Sequence, residues 1–137
     1  MAIIDKSLEN TLVFSELQAL SPTTRLLFFK CDLSHGLEVI KTTFDQILKI
    51  IPQVDVLVNC AGICNENIMD LTIQVNLIGT MFTSSIMSNH WDKRKGGRGG
   101  LIVNIASVAA FSFELGIPAY SASKAGVLAF SKSLAVS

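Results

Sequence analysis

Four short apolar runs divide the chain and predict four β-strands. They occupy residues 2–4, 26–29, 54–59 and 101–106. The run at residues 26–29 shows no alternation of polar and apolar positions, which is typical of a strand that is covered on both faces. Each of these runs is followed by a segment with a different hydrophobic period.

Apolar residues at helical spacing follow each strand and predict four helices. The predicted helices span about residues 7–20, 37–51, 68–90 and 120–135. Pro22 and Pro52 mark the ends of the first two, and Ser34 is predicted to cap the second. Residues 95–100 are rich in glycine and predict a flexible turn before the last strand. The alternation predicts one α/β domain over residues 1–137, with a mainly parallel sheet and right-handed crossovers.

Polar side chains stand at or just after the ends of the predicted strands. They are Asp5, Asp32, Asn59 and Ser107. Ligands of open parallel sheets bind beyond the carboxyl ends of the strands, so this arrangement favours a nucleotide site there. Loops are polar in general, and the pattern is equally consistent with ordinary loop residues.

A hydroxyl, a phenol and an ammonium group lie within residues 107–124. Tyr120 and Lys124 are four residues apart and would share one face of a helix. A lysine cation held nearby stabilises a phenolate, which can then take a proton from an alcohol. Ser107 could donate a hydrogen bond to the same substrate oxygen. Taken alone, a Tyr and a Lys at helical spacing are more often an exposed surface pair.

The composition indicates neither a nucleic-acid-binding protein nor a membrane protein. The 137 residues carry 11 Lys and Arg against 11 Asp and Glu, so the formal net charge is zero and no nucleic-acid or anionic membrane partner is indicated. Hydrophobic residues make up 50% of the chain and the mean hydropathy is +0.49. No apolar run approaches the roughly 20 residues of a membrane span, and the start lacks the features of a signal peptide.

The three cysteines do not indicate a disulfide framework. Cys31, Cys60 and Cys64 are too few and too unevenly spaced for one, and neither histidine is placed to complete a metal site with them. A reduced, cytoplasmic protein without a metal is therefore expected.

Four elements of the sequence together resemble the short-chain dehydrogenase/reductase family. They are residues 59–62 (Asn-Cys-Ala-Gly), Asn76, Ser107 and residues 120–124 (Tyr-Ser-Ala-Ser-Lys). The resemblance is closest to the insect alcohol dehydrogenases and the similar 15-hydroxyprostaglandin dehydrogenases, and residues 91–100 look especially like the insect enzymes. It covers essentially the whole chain. It implies the oxidation of an alcohol to a ketone or aldehyde with NAD and without a metal.

The resemblance implies a catalytic role for each of four residues. Tyr120 would be the acid/base, and Lys124 would stabilise its phenolate and hydrogen-bond the nicotinamide ribose. Ser107 would orient the substrate oxygen and stabilise the charge that develops on it. Asn76 would sit in the long helix and anchor a water in a proton relay. Taken alone, Asn76 could equally be a residue that kinks or packs the helix.

The resemblance also implies which residues bind NAD beside Tyr120 and Lys124. Asn59, Ala61 and Gly62 would border the adenosine half of the cofactor and brace the neighbouring strand. Asp32 and Leu33 would lie against the adenine.

Asp5 bears on the choice of cofactor. A carboxylate at the end of the second strand of this fold hydrogen-bonds the adenosine 2′-hydroxyl and repels a 2′-phosphate, which implies NAD rather than NADP. Lys6 follows directly and could soften this preference. Asp5 could also be a simple turn or cap residue.

Two departures from the family pattern limit these expectations. Cys60 stands where most members carry a second asparagine, a mild change because backbone contacts dominate there. The family's first strand and its Gly-x-x-x-Gly-x-Gly turn, which brings the pyrophosphate to a helix N-terminus, have no counterpart in this sequence. The expected fold is therefore a partial Rossmann-like, doubly wound sheet that lacks the first strand and the C-terminal strands.

The missing first strand has a consequence for the sheet. The four predicted strands correspond to strands 2 to 5 of the order 3-2-1-4-5-6, in which the first strand lies between the second and the fourth. The sheet is expected either to close up as 3-2-4-5 or to divide into a 3-2 pair and a 4-5 pair.

Two functions remain open. The first is an NAD-dependent alcohol dehydrogenase that acts on a small alcohol or carbonyl compound and, in the full-length family form, is a homodimer through the helices after strands 4 and 5. The alternative is a catalytically silent truncated form or fragment that at most associates with a full-length relative. The apolar residues on the substrate side suggest either a wall for a secondary or aliphatic alcohol or ordinary loop packing. They are Phe111, Phe113, Leu115 and Ile117.

Overall fold

The structure is a computed structural model that describes residues 1–7, 11–112 and 116–136, without the side chains of residues 11–14. It divides into two compact units, Met1–Pro52 and Gln53–Ser137, which we call the N-terminal and C-terminal units. Two residues of the predicted substrate wall, Phe113 and Leu115, lie outside the described residues.

The N-terminal unit holds one parallel strand pair and two helices. Its elements in chain order are β1 (Ala2–Asp5), α1 (Thr11–Leu20), β2 (Leu27–Lys30) and α2 (Leu37–Ile50). The two strands pair in parallel with Asp5 opposite Lys30. The apolar stripe of α2 buries Ile40, Phe44 and Ile47, as its helical spacing predicts.

The beginning of α2 differs from the sequence prediction that Ser34 caps it. The residue at the cap position is Gly36, with φ 87°, which has no side chain to make a capping bond. Ser34 instead lies inside a short 3₁₀ turn, Leu33–His35, which Asp32 caps by accepting the Ser34 N–H at 2.9 Å. The carboxylate of Asp32 therefore takes the capping role, one turn before α2 begins.

The C-terminal unit holds the second parallel strand pair. Its main elements are β3 (Val56–Asn59), α3 (Met69–Ile73), a π-helical segment (Gln74–Gly79), α4 (Thr80–Trp91), β4 (Leu101–Asn104) and α5 (Pro118–Leu134). The single long helix predicted at residues 68–90 is thus three consecutive segments with a π-helical centre. Helix α5 packs against α3 and the π-helical segment, and Met87 and Val127 are among the fully buried side chains.

The four described strands form two separate parallel pairs. β1 pairs with β2, and β3 pairs with β4. These are the 3-2 and 4-5 pairs of the family order, so the second of the two predicted sheet arrangements is confirmed. Each pair is joined by a helical crossover, as an α/β sequence pattern requires.

The glycine-rich turn before β4 packs closely on Trp91. A Cβ atom on Gly100 would lie 2.2 Å from the Trp91 ring, and one on Gly97 would lie 2.4 Å from the backbone carbonyl carbon of Trp91. Trp91 is buried, and its indole N–H donates a hydrogen bond to the carbonyl oxygen of Val54 at 2.6 Å. These glycines are therefore required by close packing, which the prediction of a flexible turn did not anticipate.

The substitution Gly100→Ala is expected to destabilise the C-terminal unit by about 3 kcal/mol, because its methyl group would overlap the Trp91 ring. The measurement is urea unfolding followed by the fluorescence of Trp91, the only tryptophan in the chain. The matched control is Gly96→Ala, where nothing among the described residues lies within 4 Å of an added Cβ and φ is 87°. That variant should lose about 1 kcal/mol from the left-handed backbone alone. Equal losses in the two variants would contradict the packing argument.

Candidate active site

The ammonium group of Lys124 is buried at the carboxyl end of β4. Only 5% of the residue is exposed, and Nζ donates a hydrogen bond to the carbonyl oxygen of Ile105 at 2.8 Å. Nζ also lies 5.8 Å from the centre of the Tyr120 ring, within the range of a cation–π contact. Because Ile105 directly follows β4, this bond holds the charge at the strand end where ligands bind in parallel sheets.

Burial lowers the pKa of the Lys124 ammonium group below its ordinary value, because little water reaches the charge to solvate it. The Cys60 side chain acts in the opposite direction and raises this pKa by a smaller amount. The ammonium group therefore keeps its position at an electrostatic cost.

Ser107 and Tyr120 belong to elements that pack against each other. Ser107 caps the 3₁₀ turn Val108–Ala110, and its Oγ accepts the N–H of Ala109 at 3.2 Å. This turn packs against α5, whose first turn carries Tyr120. Both residues are half-buried. The fold thus assembles the serine, the tyrosine and the lysine within the C-terminal unit.

Asn76 is fully buried in the π-helical segment and ties two parts of the site together. Its side chain accepts the N–H of Ile63 at 2.8 Å and donates to the carbonyl oxygen of Ile63 at 2.8 Å. It also donates to Ser123 Oγ at 3.0 Å, and Ser123 donates to the carbonyl oxygen of Tyr120 at 2.7 Å. These contacts fulfil the packing role that the sequence left open, and the role in anchoring a water stays a prediction.

Asn76 lies in a π-helical segment, a type of helix that is often found at functional sites. A π-helical turn places one extra residue in the helix, and such turns occur frequently at functional sites. Here the extra residue is accommodated where the Asn76 side chain leaves the helix to pair with both backbone groups of Ile63.

Asn59 braces β3 against β4 through its side chain. Its Nδ2 donates to Asn104 Oδ1 at 2.9 Å and to Ser84 Oγ at 3.0 Å, and its Oδ1 accepts from the Thr83 hydroxyl at 2.8 Å. Asn104 in turn donates to Ser131 Oγ at 2.8 Å. Sequence reasoning missed the other members of this network. The signal was present, since Val-Leu-Val-Asn and Leu-Ile-Val-Asn end at the same position of the two strands.

The backbone of Gly62 lies close to the two central polar groups. A Cβ atom there would lie 3.2 Å from Asn76 Oδ1 and 3.5 Å from Lys124 Nζ. Ala61 and Gly62 are both exposed. A side chain at this position would therefore crowd both the Asn76 amide and the Lys124 ammonium group.

The other predicted cofactor residues lie at one end of the N-terminal strand pair. Asp5 ends β1, is exposed, and accepts the N–H of Ser7 at 2.8 Å, which is a turn contact. Asp32 and Leu33 follow β2 and are half-buried. Hydrogen bonds from the Ser34 hydroxyl and N–H lower the pKa of the Asp32 carboxyl group. The contacts with the cofactor stay predictions for all three residues.

Glu66 is a residue of the site that sequence reasoning missed. Its two carboxylate oxygens accept the N–H groups of Ala119 and Tyr120, each at 3.0 Å, in the first turn of α5. A carboxylate at a helix N-terminus typically stabilises by about 0.3–1 kcal/mol. No local pattern indicates this contact, because Glu66 and Ala119 are 53 residues apart in the chain.

The described part of the chain holds neither a candidate metal site nor a helix that could span a membrane. No group of three or more His, Cys, Asp and Glu side chains there could hold a metal ion, and Cys31, Cys60 and Cys64 are free thiols. None of the helices in residues 1–7, 11–112 and 116–136 has the length and apolar character needed to cross a membrane.

Comparison with known proteins identifies the family. The family described as short chain dehydrogenase matches residues 1–137. The chain belongs to the short-chain dehydrogenase family. Its similarity extends to the alcohol dehydrogenase-related 31 kDa proteins of Drosophila erecta, at 42% identity, and Drosophila mauritiana, at 40%, each over 130 residues and 95% of this chain. The chain spans 64% and 48% of the length of these two relatives.

Solved structures agree with this family and with the predicted fold class. A short chain dehydrogenase from Mycobacterium smegmatis has a TM-score of 0.86 at 25% identity, and one from Bacillus anthracis has 0.81 at 26%, each covering 98% of this chain and 58% of its own length. An NAD+-bound xylitol dehydrogenase shares the fold with a TM-score of 0.84 at 21% identity, over 98% of this chain and 54% of its own. The family resemblance and the α/β Rossmann-like fold predicted from the sequence are confirmed.

The substitution Asn59→Ala is expected to cost about 2–3 kcal/mol of unfolding free energy in the C-terminal unit. It would leave the side-chain oxygen of Asn104 without its donor in a partly buried site, and such an orphaned acceptor is costly. Urea unfolding followed by Trp91 fluorescence measures the loss. The control is Asn67→Ala, an exposed asparagine of the same unit, which should change stability by less than about 0.5 kcal/mol. A comparable loss in both variants would mean that the network does not brace the strands.

The lowered pKa of Lys124 predicts a specific pH dependence of stability. Folding disfavours the charged form of Lys124. The folded state therefore carries the full cost of burying this charge at pH values below the lowered pKa of the folded chain. This cost disappears as the pH rises toward the ordinary lysine pKa of about 10.4. The unfolding free energy of the native chain relative to Lys124→Met should therefore increase with pH through this window. Urea unfolding at a series of alkaline pH values measures it, with Lys132→Met, an exposed lysine of the same helix, as the control. A difference that is independent of pH would contradict a penalty for burying the charge.

Proposed function

We propose that this chain carries the proton-transfer machinery of an NAD-dependent alcohol dehydrogenase, which oxidises an alcohol to a ketone or aldehyde. The observation that supports this best is the buried Lys124 ammonium group, which is bonded to Ile105 at the end of β4 with the Tyr120 ring 5.8 Å away. Lysine is almost never fully buried unless it is paired, so such burial indicates a demand beyond stability. The Drosophila relatives, which are named alcohol dehydrogenase-related, agree with an alcohol as the substrate.

The proposed proton transfer uses the hydrogen-bonding groups of Ser107, Tyr120 and Lys124. The Ser107 oxygen accepts a bond from Ala109, which leaves its own hydrogen available to donate to the substrate oxygen. The Tyr120 phenolate accepts the proton of the substrate hydroxyl, and the Lys124 ammonium group stabilises that phenolate. Ser107 stabilises the charge that develops on the substrate oxygen.

The residues of the C-terminal unit fit a nicotinamide dinucleotide. The Lys124 ammonium group has three N–H donors and uses one on Ile105, so two remain for the hydroxyl groups of a ribose. The backbone of Gly62 lies close to this ammonium group, and a side chain there would crowd a ligand bound to it. Asn59, Ala61 and Gly62 would border the adenosine half. When NAD is bound, it supplies the acceptor for the hydride.

The contacts with the adenosine end would come from residues at the ends of β1 and β2, as the family resemblance implies. Asp32 and Leu33 would lie against the adenine, and Asp5 would accept a hydrogen bond from the ribose 2′-hydroxyl. The exposed carboxylate of Asp5 at the end of β1 supports a preference for NAD over NADP, because it would repel a 2′-phosphate.

The substitution Tyr120→Phe is expected to lower turnover by roughly 10²–10⁴-fold, because it removes the acid/base while keeping the ring. NADH binding should remain. NADH fluorescence titration measures the binding, and NADH absorbance with NAD and a panel of secondary and aliphatic alcohols measures the turnover. The control is Ser121→Ala, which removes a hydroxyl group from the next position of α5 and should leave turnover unchanged.

Two outcomes would contradict this function in different ways. Undiminished turnover in Tyr120→Phe would refute the proton-transfer role of the tyrosine. Failure of the native chain to bind NADH saturably would refute the cofactor assignment and favour a catalytically silent form.

A further inference from the structure

We infer that Glu66 is a positioning residue for Tyr120. Its carboxylate joins the start of α5 to the loop that follows β3, and it thereby fixes the tyrosine relative to Lys124, which is held separately by Ile105. The catalytic meaning of this role rests on the proposed function, whereas the contact itself does not.

Among the described residues, helix α5 begins without a cap from its own neighbourhood. Its cap position is occupied by Ile117, which makes no side-chain capping bond within the described residues, and Pro118 takes the first helical position. The first N–H groups of any helix lack an acceptor inside the helix. In α5 the next two such groups, those of Ala119 and Tyr120, both donate to Glu66, one to each oxygen. A distant carboxylate therefore caps these two N–H groups.

The loop that carries Glu66 is itself anchored at two points. The Asn76 side chain pairs with the N–H and the carbonyl oxygen of Ile63, and the Thr72 hydroxyl donates to the carbonyl oxygen of Asn65 at 2.9 Å. The Asn65 side chain accepts the N–H of Asn67 at 3.0 Å. Glu66 therefore projects from a backbone that hydrogen bonds hold on either side.

Tyr120 is the site residue that would lose its position most readily, because it lies in the first turn of α5. Helix ends fray, and Tyr120 lies in the first turn, whereas Lys124 lies one turn further in and is bonded to Ile105. Without Glu66 the first turn of α5, which carries Tyr120, would open while Lys124 stays in place. Proton transfer is sensitive to such a change, since a displacement of about 1 Å can cost roughly 10²-fold in rate.

Amide hydrogen exchange of the native chain and of Glu66→Ala tests the contact independently of activity. The N–H groups of Ala119 and Tyr120 should exchange about tenfold faster or more in the variant, because each loses a bond to a charged acceptor. The N–H groups of Lys124 and Val127, deeper in α5, should keep their exchange rates. The control is Asp70→Ala, which removes an exposed carboxylate from the first turn of α3 and should change neither pair.

The signals of two unique residues separate positioning from general destabilisation. Tyr120 is the only tyrosine and Trp91 the only tryptophan, so each gives one assignable set of NMR signals. In Glu66→Ala the Tyr120 ring signals should move, while the Trp91 indole signal stays at its native position. Glu66→Gln keeps the length and one acceptor oxygen, so its ring signals and exchange rates should lie between those of the native chain and Glu66→Ala.

Turnover provides the final measurement. If the native chain oxidises an alcohol, kcat should fall about tenfold in Glu66→Ala and less in Glu66→Gln, while the Kd for NADH stays unchanged. If the native chain shows no turnover, the proposed function fails, and the exchange rates and ring signals still decide the role of Glu66. Unchanged exchange at Ala119 and Tyr120 would overturn the inference. Faster exchange with unmoved Tyr120 ring signals would also overturn it, since Glu66 would then be a cap without a positioning role.

Discussion

The hydrogen bond between the Lys124 ammonium group and the carbonyl oxygen of Ile105 is the interaction on which the candidate site depends. It places a positive charge at the carboxyl end of a parallel strand, where the surrounding protein excludes most water. Desolvation makes that placement unfavourable, and it lowers the pKa of the lysine. The backbone of Gly62 also lies close to this charge, since a Cβ atom there would be 3.5 Å from Nζ.

Hydrogen bonds from side chains to loop backbone hold the other groups around this charge. Asn76 pairs with both backbone groups of Ile63 and reaches α5 through Ser123, and Glu66 reaches the same helix from the next part of the loop. A loop that carried only backbone-to-water bonds could not fix the site to within the tolerance that proton transfer requires. The polar residues that perform this task are buried or half-buried, and no buried side-chain nitrogen or oxygen of the described residues lacks a partner.

The positions of the strands and helices and the central chemical groups could be predicted from the sequence because they follow from local patterns. Periodicity locates the strands and helices to within a few residues, and Tyr120 and Lys124 share a helix face by spacing alone. The π-helical segment, the contact of Glu66 with α5 and the packing of Gly100 on Trp91 could not be predicted in this way. Each depends on contacts between residues that are not neighbours in the sequence. The prediction that Ser34 caps α2 is wrong because Asp32 caps a separate 3₁₀ turn that includes Ser34.

The paired asparagines Asn59 and Asn104 also determine how β3 and β4 can align during folding. Val56 and Val58 on one strand, and Leu101 and Val103 on the other, are exposed on the opposite face, so both faces of the pair are apolar apart from the asparagines. A hydrophobic pattern of this kind cannot distinguish the native alignment from one shifted by a single residue. Such a shift would carry an asparagine away from its partners beneath α4 and α5. The two amides therefore specify the register of β3 and β4, and they disfavour misaligned strand pairs that hydrophobic burial alone would tolerate.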